Sequence, residues 1–240
     1  MANITIATFN VNSIKARLPN LLSWLKEARP DIVLLQELKC VDEAFPTLEI
    51  EECGYNIATH GQKTYNGVAI LSKFPLEDIT RGLPGDVADE QARHIEAVAS
   101  IPGGALRVAS AYVPNGQEVT SDKFPYKLAF FERLRTHWQE RLTYHEIAVL
   151  GGDFNCAPEA IDVYDAAALD GSVCYHPAER ERLRALFHLG LYDAFRTLHP
   201  TRQQFSWWDY RGNGYERGHG LRIDHLLLSP MATHCLTACI

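Results

Sequence analysis

The chain opens with apolar and polar residues in near alternation over residues 4–9, the period of a half-buried strand. The period then changes. Leu21, Leu22, Leu25 and Ala28 fall on one helical face, and Pro19 suits the first turn of that helix. The continuous apolar run 32–35 follows at once, so this region predicts a strand–helix–strand unit of the parallel crossover type. Shorter strand-like runs follow at 55–58, 68–72, 94–101 and 106–113. The turn signals Asn66-Gly67, Pro84-Gly85 and Gly103-Gly104 separate them, which predicts antiparallel pairing. Leu128, Phe131, Leu134, Trp138 and Leu142 mark the buried face of a second helix over 125–142. A buried strand at 147–150, a helix at 181–189 and a late strand at 223–228 complete the pattern. The mixture predicts an α/β fold with two mixed β-sheets packed face to face and helices outside.

Composition narrows this picture. The 240 residues are 46% hydrophobic and 22% charged, with no low-complexity segment, repeat or long linker, which suits one domain spanning 1–240 that folds by burial. The longest clean apolar runs, such as 32–35 and 147–150, fall far short of the about eighteen residues that a membrane span needs. The first twelve residues lack the basic start and apolar stretch of a secretory signal, so a cytoplasmic, non-membrane protein is expected. Six cysteines without a CxxC pair fit buried free thiols better than a disulfide scaffold or zinc ribbon. The net charge of −7 counts against bulk polyanion binding but leaves room for a bound cation or a local basic face. Residues 180–224 hold eight Arg, no Lys and five acids, which permits a phosphate-facing surface there.

Candidate chemistry stands where the apolar runs end. Asn10 and Asn12, Gln36 and Glu37, Asp153 and Asn155, and Asp224 and His225 each close such a run. Each is, taken alone, an ordinary turn residue. Gathered at one sheet edge they would form a cluster of hard oxygen ligands suited to Mg²⁺ or Mn²⁺. In Gly151-Gly152-Asp153-Phe154-Asn155 the glycines allow close backbone approach, and two polar side chains two apart would point the same way. A carboxylate that orients water beside an amide that donates to a phosphate oxygen would suit phosphoryl chemistry. His60 and His225 read as structural histidines.

The ordered stretches TFNVNSIKAR, PDIVLLQELK, YNIATHGQKTYNGVAILSK, GLPGD, AYVPNG, KFPYK, GGDFN, FSWWDYR and GLRIDHLLLS resemble the exonuclease III type of abasic-site (AP) endonuclease, within the endonuclease/exonuclease/phosphatase superfamily. The resemblance implies a four-layer α/β sandwich and a divalent-metal nuclease of double-stranded DNA. Such an enzyme cuts 5′ to abasic sites in base-excision repair and also acts at 3′ ends as a 3′→5′ exonuclease. By the same resemblance Glu37 is the main metal carboxylate, with Asn10, Asp153 and Asn155 completing the metal and phosphate set. Tyr112 meets the scissile phosphate or leaving oxygen, Asp153 activates water, Asn155 stabilises the pentavalent phosphorus, and Asp224 supports the site. Trp207, Trp208 and Leu221 resemble the apolar pocket that takes an abasic sugar, although two tryptophans also suit a core. Arg93, Lys123, Arg211 and Arg222 lie in matching stretches and are expected to position DNA phosphates. A monomer is expected.

The sequence departs from this family at its end. The family continues to a Ser-Asp-His motif and a final strand, so by resemblance about twenty residues, a loop and one ordinary strand, are expected to be missing beyond Ile240. Two rival readings follow: a DNA-binding module with lost or weak turnover, and a superfamily phosphatase or phosphodiesterase acting on phospholipid or inositol phosphate.

Overall fold

In the computed structural model, which describes residues 3–210 and 212–240, contacts group the chain into two units. The first runs to Tyr112 and resumes over Glu146–Asp153; the second comprises Val113–His145 and Phe154–Ile240.

The first unit begins with the predicted crossover: β1 (Ile6–Asn10), α1 (Ile14–Ala28) and β2 (Ile32–Gln36). β1 and β2 are parallel, with Asn10 opposite Gln36, so both strands end at one edge. α1 starts before Pro19, because Ser13 Oγ accepts the Ala16 N–H (3.4 Å) and caps the helix there. Pro19 therefore lies inside the helix and not in its first turn; it is exposed, where a missing N–H costs one solvent-facing bond. After α2 (Thr47–Glu51) come β3 (Asn56–His60) and β4 (Val68–Ser72), which complete a sheet of order β1-β2-β4-β3. Every residue of β2 and β4 is buried, which explains why these two runs are continuously apolar. Leu21 and Leu25 of α1 pack on Val33, Leu35, Ala69 and Leu71, each such burial contributing about 1.5–3 kcal/mol.

A second mixed sheet contains β5 (Leu76–Arg81), β6 (His94–Ile101), β7 (Gly104–Tyr112) and β8 (Ala148–Asp153). β5, β6 and β7 pair antiparallel, whereas β7 and β8 are parallel with Tyr112 opposite Asp153. β5 escapes the sequence pattern because it is largely exposed and its register shifts between Glu77 and Thr80, around Asp78 at φ +50°. The two sheets face each other across a buried polar bridge. Gln36 Nε2 donates to Ser110 Oγ (3.0 Å), and Ser110 Oγ donates to the Leu35 carbonyl (2.9 Å).

The second unit holds α3 (Lys123–Leu142), α4 (Ala166–Leu169), α5 (Pro177–His188), α6 (Ala194–Leu198) and α7 (Pro230–Thr233). Its strands are β9 (Tyr192–Asp193), β10 (Trp207–Trp208), β11 (Gly220–Leu221) and β12 (Asp224–Leu228). α3 packs on α5. α5 begins four residues before the predicted 181, because Pro177 takes the first turn and His176 and Glu179 form a reciprocal cap. β12 pairs with β9, and β10 pairs with β11.

The fold is thus α/β with two mixed β-sheets, the class that the periodicity predicts. All six cysteines are free: Cys40, Cys156 and Cys174 are buried, and Cys235 is exposed. Among the described residues no helix is long and apolar enough to cross a membrane.

Gly152 in β8 has φ +149°, and a Cβ there would lie 1.9 Å from the Ala111 carbonyl oxygen on β7. No side chain fits. Gly152→Ala is expected to destabilise the protein by about 3 kcal/mol or more, read as a lower urea midpoint in equilibrium unfolding.

Candidate active site

Parallel pairing places Asn10 at the end of β1 and Glu37 just beyond the end of β2, and it places Tyr112 and Asp153 together at the ends of β7 and β8. These four side chains meet. Asn10 Nδ2 donates to Glu37 Oε1 (2.9 Å) and to Asp153 Oδ2 (2.9 Å), so one amide nitrogen ties the two carboxylates together. The Tyr112 hydroxyl donates to Glu37.

Irregular backbone beyond the strands aims these groups. Glu37 (φ +56°), Lys39 (φ +56°) and Asn12 (φ +42°) all sit in the left-handed region. Their loop is pinned by main-chain bonds: Leu38 N–H to the Gly67 carbonyl (3.1 Å), Lys39 N–H to the Asn66 carbonyl (2.9 Å), and Ser13 N–H to the Glu37 carbonyl (2.8 Å). Lys39 Nζ pairs with Glu37 Oε2 (3.0 Å) and also donates to Asn12 Oδ1.

The electrostatics follow from these contacts. Burial alone would raise the Glu37 pKa, but hydrogen bonds from Asn10, Lys39 and Tyr112 and the charge of Lys39 outweigh it and hold Glu37 below the ordinary carboxylate value. Burial pushes Tyr112 far above the ordinary tyrosine range, and the charges of Glu37 and Asp153 add to this, so it remains a phenol and a donor. Arg93 lies over the Tyr112 ring, 4.7 Å from its centre, and its Nη1 donates to the Tyr112 carbonyl (3.3 Å).

A divalent cation fits this donor set. Glu37 and Asp153 offer hard carboxylate oxygens of like charge gathered on one amide, with the partly exposed Lys39 paired to Glu37. The amide oxygens that the sequence reading offers to the metal are turned elsewhere: Asn10 Oδ1 accepts from Asn12 N–H (3.0 Å), and Asn155 Oδ1 accepts from Asn115 Nδ2 (3.0 Å). The two carboxylates are therefore the groups that could hold an ion.

Other expected residues belong to the second unit. Asn155 is not the second member of an alternating strand pair with Asp153. β8 ends at Asp153, and Asn155 has φ +47°, so the period of two breaks between them. Its Nδ2 donates to the Val113 carbonyl (3.0 Å). Asp224 starts β12 half-buried, and its N–H donates to Ser206 Oγ (3.2 Å). Trp207 lies opposite Leu221 in register; Leu221 is buried over Val163, Cys174 and Ile223, while Trp207 stays 37% exposed. Trp208 packs edge-on to Phe205 and Tyr215. The aromatic pair is thus a surface feature seated on a small core.

Arg222 does not match its expected role at a DNA phosphate. It is 4% exposed, its Nε is paired with Asp162 Oδ1 (2.7 Å) and its Nη2 with Asp193 Oδ2 (2.8 Å), so it is internal structure. Its Nη1 lies 3.0 Å from His225 Nδ1, and His225 Nε2 lies 2.9 Å from the Cys156 carbonyl. Both ring nitrogens are thus engaged by internal partners and the residue is 2% exposed, so His225 is structural. Much of the arginine in the stretch 180–224 is engaged within the fold, while Arg202 and Arg217 stay exposed. Arg184 pairs with Glu159, Arg196 with Asp162, and Arg182 with Glu181 and Glu132, while Arg180 lies over Tyr175. Lys123 is exposed at the start of α3, and Arg211 lies outside the described residues. The sequence reading leaves Lys39, Asn115 and Lys127 without roles, although the stretches that carry the resemblance contain all three.

Comparison with known proteins identifies the family. The chain matches the endonuclease/exonuclease/phosphatase family over residues 7–237. It is 36% identical to exodeoxyribonuclease III of Haemophilus influenzae, covering 95% of this chain and 89% of that protein. A 3′ phosphatase of Neisseria, NExo, solved bound to a product DNA hairpin, superposes with a TM-score of 0.93 at 39% identity, over 97% of this chain and 89% of that one. An AP endonuclease from Archaeoglobus fulgidus gives 0.91 at 38% identity, over 97% and 89%. The chain belongs to the endonuclease/exonuclease/phosphatase family, among its exonuclease III and AP endonuclease members.

Proposed function

We propose that the chain hydrolyses phosphodiester bonds in double-stranded DNA as a divalent-metal nuclease, cutting 5′ to abasic sites and removing nucleotides 3′→5′ in base-excision repair. It is a metal-dependent enzyme of the exonuclease III and AP endonuclease type. The observation that carries the reading is Asn10 Nδ2 shared between Glu37 and Asp153, with the Tyr112 phenol on Glu37. Bound Mg²⁺ or Mn²⁺ would supply charge neutralisation at a phosphate oxygen. Glu37 would hold that ion. Asp153 accepts from a water and orients its lone pair, and Tyr112, fixed as a phenol, donates to a phosphate or leaving oxygen. Asn155 is the amide donor that the family assigns to phosphorus. Lys39 supplies a positive charge to Glu37 from the protein itself.

The finer specificity is supported by the aromatic pair. Trp207 and Trp208 beside Leu221 offer an apolar surface against which a sugar without a base could pack.

Incision of a duplex carrying one tetrahydrofuran abasic analogue is expected with Mg²⁺ and is expected to vanish with excess chelator. Glu37→Gln and Asp153→Asn are expected to lower kcat/KM by about 10²–10⁴-fold in the same gel assay. A folded wild type that leaves the duplex intact with Mg²⁺ and with Mn²⁺ would refute the reading.

Asn10 also sets a titration. Its hydrogen bond helps depress the Glu37 pKa, so Glu37 contributes stability that is present above the ordinary carboxylate pKa and is lost as pH falls through the depressed value. Asn10→Ala is expected to move the Glu37 titration upward, measured by carboxyl ¹³C NMR, and to shift acid unfolding to higher pH. An unchanged Glu37 titration would remove Asn10 from this role.

A further inference from the structure

Lys127 on α3 has 0% exposure, although it carries a full charge. Its three ammonium hydrogens meet three acceptors: Glu179 Oε1 at 2.6 Å, the Asn155 carbonyl at 2.7 Å and the Asn115 carbonyl at 3.1 Å. Glu179 is equally buried, and its Oε2 accepts the His176 N–H (3.1 Å). Removing two charges from water costs several kcal/mol per ion, and an apolar pair of the same volume often serves stability as well. Stability alone therefore does not explain this pair.

What the ammonium holds does explain it. Two of its acceptors are main-chain carbonyls, and they belong to the residues whose side-chain amides bond each other, Asn115 Nδ2 to Asn155 Oδ1 at 3.0 Å. Asn155 stands at φ +47°, a conformation that asparagine tolerates but that neighbours must fix. The loop before α3 is shaped around the lysine stem: Gly116 has φ +90°, and a Cβ there would lie 3.2 Å from Lys127 Cδ. Glu179 anchors the ammonium, and the ammonium anchors both asparagines.

We infer that Lys127, held by Glu179, is a positioning residue that sets the orientation of the Asn155 side-chain amide by clamping the main chain of Asn155 and Asn115. The inference rests on the nuclease reading, in which Asn155 donates to the phosphate. It makes the buried pair part of the catalytic apparatus without contact to substrate. Misplacing a donor by about 1 Å can cost on the order of 10²-fold in rate.

The test is a double-mutant cycle on the full chain. Lys127→Met/Glu179→Gln removes both charges together, so neither is left buried alone. Cleavage of the tetrahydrofuran duplex is measured with Mg²⁺, with folding checked by circular dichroism. The pair variant is expected to lose about 10- to 100-fold in kcat with KM within about twofold of wild type. In an Asn155→Ala background the same pair of substitutions is expected to change kcat by less than about twofold, because the group it positions is gone. Lys127→Arg keeps the charge opposite Glu179 but not the single-atom reach to two carbonyls, and it serves if the pair variant fails to fold. It is expected to lose about tenfold in kcat at unchanged KM.

Wild-type kcat in the pair variant or in Lys127→Arg would overturn the inference, as would an equal loss in the Asn155→Ala background. Absence of cleavage by the wild type would overturn the nuclease reading, and this inference with it. Cleavage by the wild type with unaffected variants would overturn the inference alone.

Discussion

Two carboxylates held on one amide nitrogen repel each other, and the first unit is organised to impose that arrangement on them. The constraint is strand register. Asn10 stands opposite Gln36 in one parallel pair and Tyr112 opposite Asp153 in the other. A one-residue slip in either pair would turn every side chain to the opposite face, removing Asn10 or Asp153 from the cluster and apolar residues from the core together. The core and the reactive cluster are therefore specified by the same interaction. The buried bridge from Gln36 to Ser110 extends the coupling, because it satisfies polar groups only when the two sheets face each other in this alignment.

Strand interiors were the most legible part of the sequence. The run 68–72 is β4 and the run 94–101 is β6, both with the predicted limits, because burial of a whole strand or of its inward face leaves a strong periodic mark. Element ends were less legible. α1 begins at a Ser13 cap and tolerates Pro19 internally, and α5 begins at a His176 cap; histidine is a weak capping signal next to Ser or Asp. β5 was invisible because an exposed strand with a register shift has no apolar period to read. In the candidate site, Asn10, Glu37 and Asp153 were legible as polar residues at or just past the ends of apolar runs, and Tyr112 only through the resemblance. The direction of the Asn10 and Asn155 amides was not, because it depends on partners distant in sequence or on backbone angles that no spacing rule carries.

Charge was the least transferable signal. The surplus of arginine over 180–224 suggests an anion-binding face, yet Arg184, Arg196 and Arg222 are spent on Glu159, Asp162 and Asp193. Burial of Asp162 and Asp193 requires such partners, and depression of the Asp193 pKa against its own burial, by hydrogen bonds from His225 and Arg222 and by their charges, shows the pairing winning. Composition counts charges without saying which are already neutralised inside the fold. The same ambiguity hides Lys127, which reads as a surface residue on a helix and is instead completely buried.

Irregular backbone concentrates where the regular pattern stops. Asn12, Ser13, Glu37, Lys39 and Asn155 all have positive φ, and none is glycine. Each such residue costs on the order of 1–3 kcal/mol unless its surroundings impose the conformation. Here the surroundings do so with specific groups: the Asn66 and Gly67 carbonyls for the Glu37–Lys39 turn, and the Lys127 ammonium for Asn155. Regular strands can deliver a side chain to an edge but can only point it up or down. Turning Glu37 toward Asn10 and Tyr112 requires leaving the β region one residue beyond the strand, so the strain is the geometric condition for two sheets to contribute side chains to one cluster.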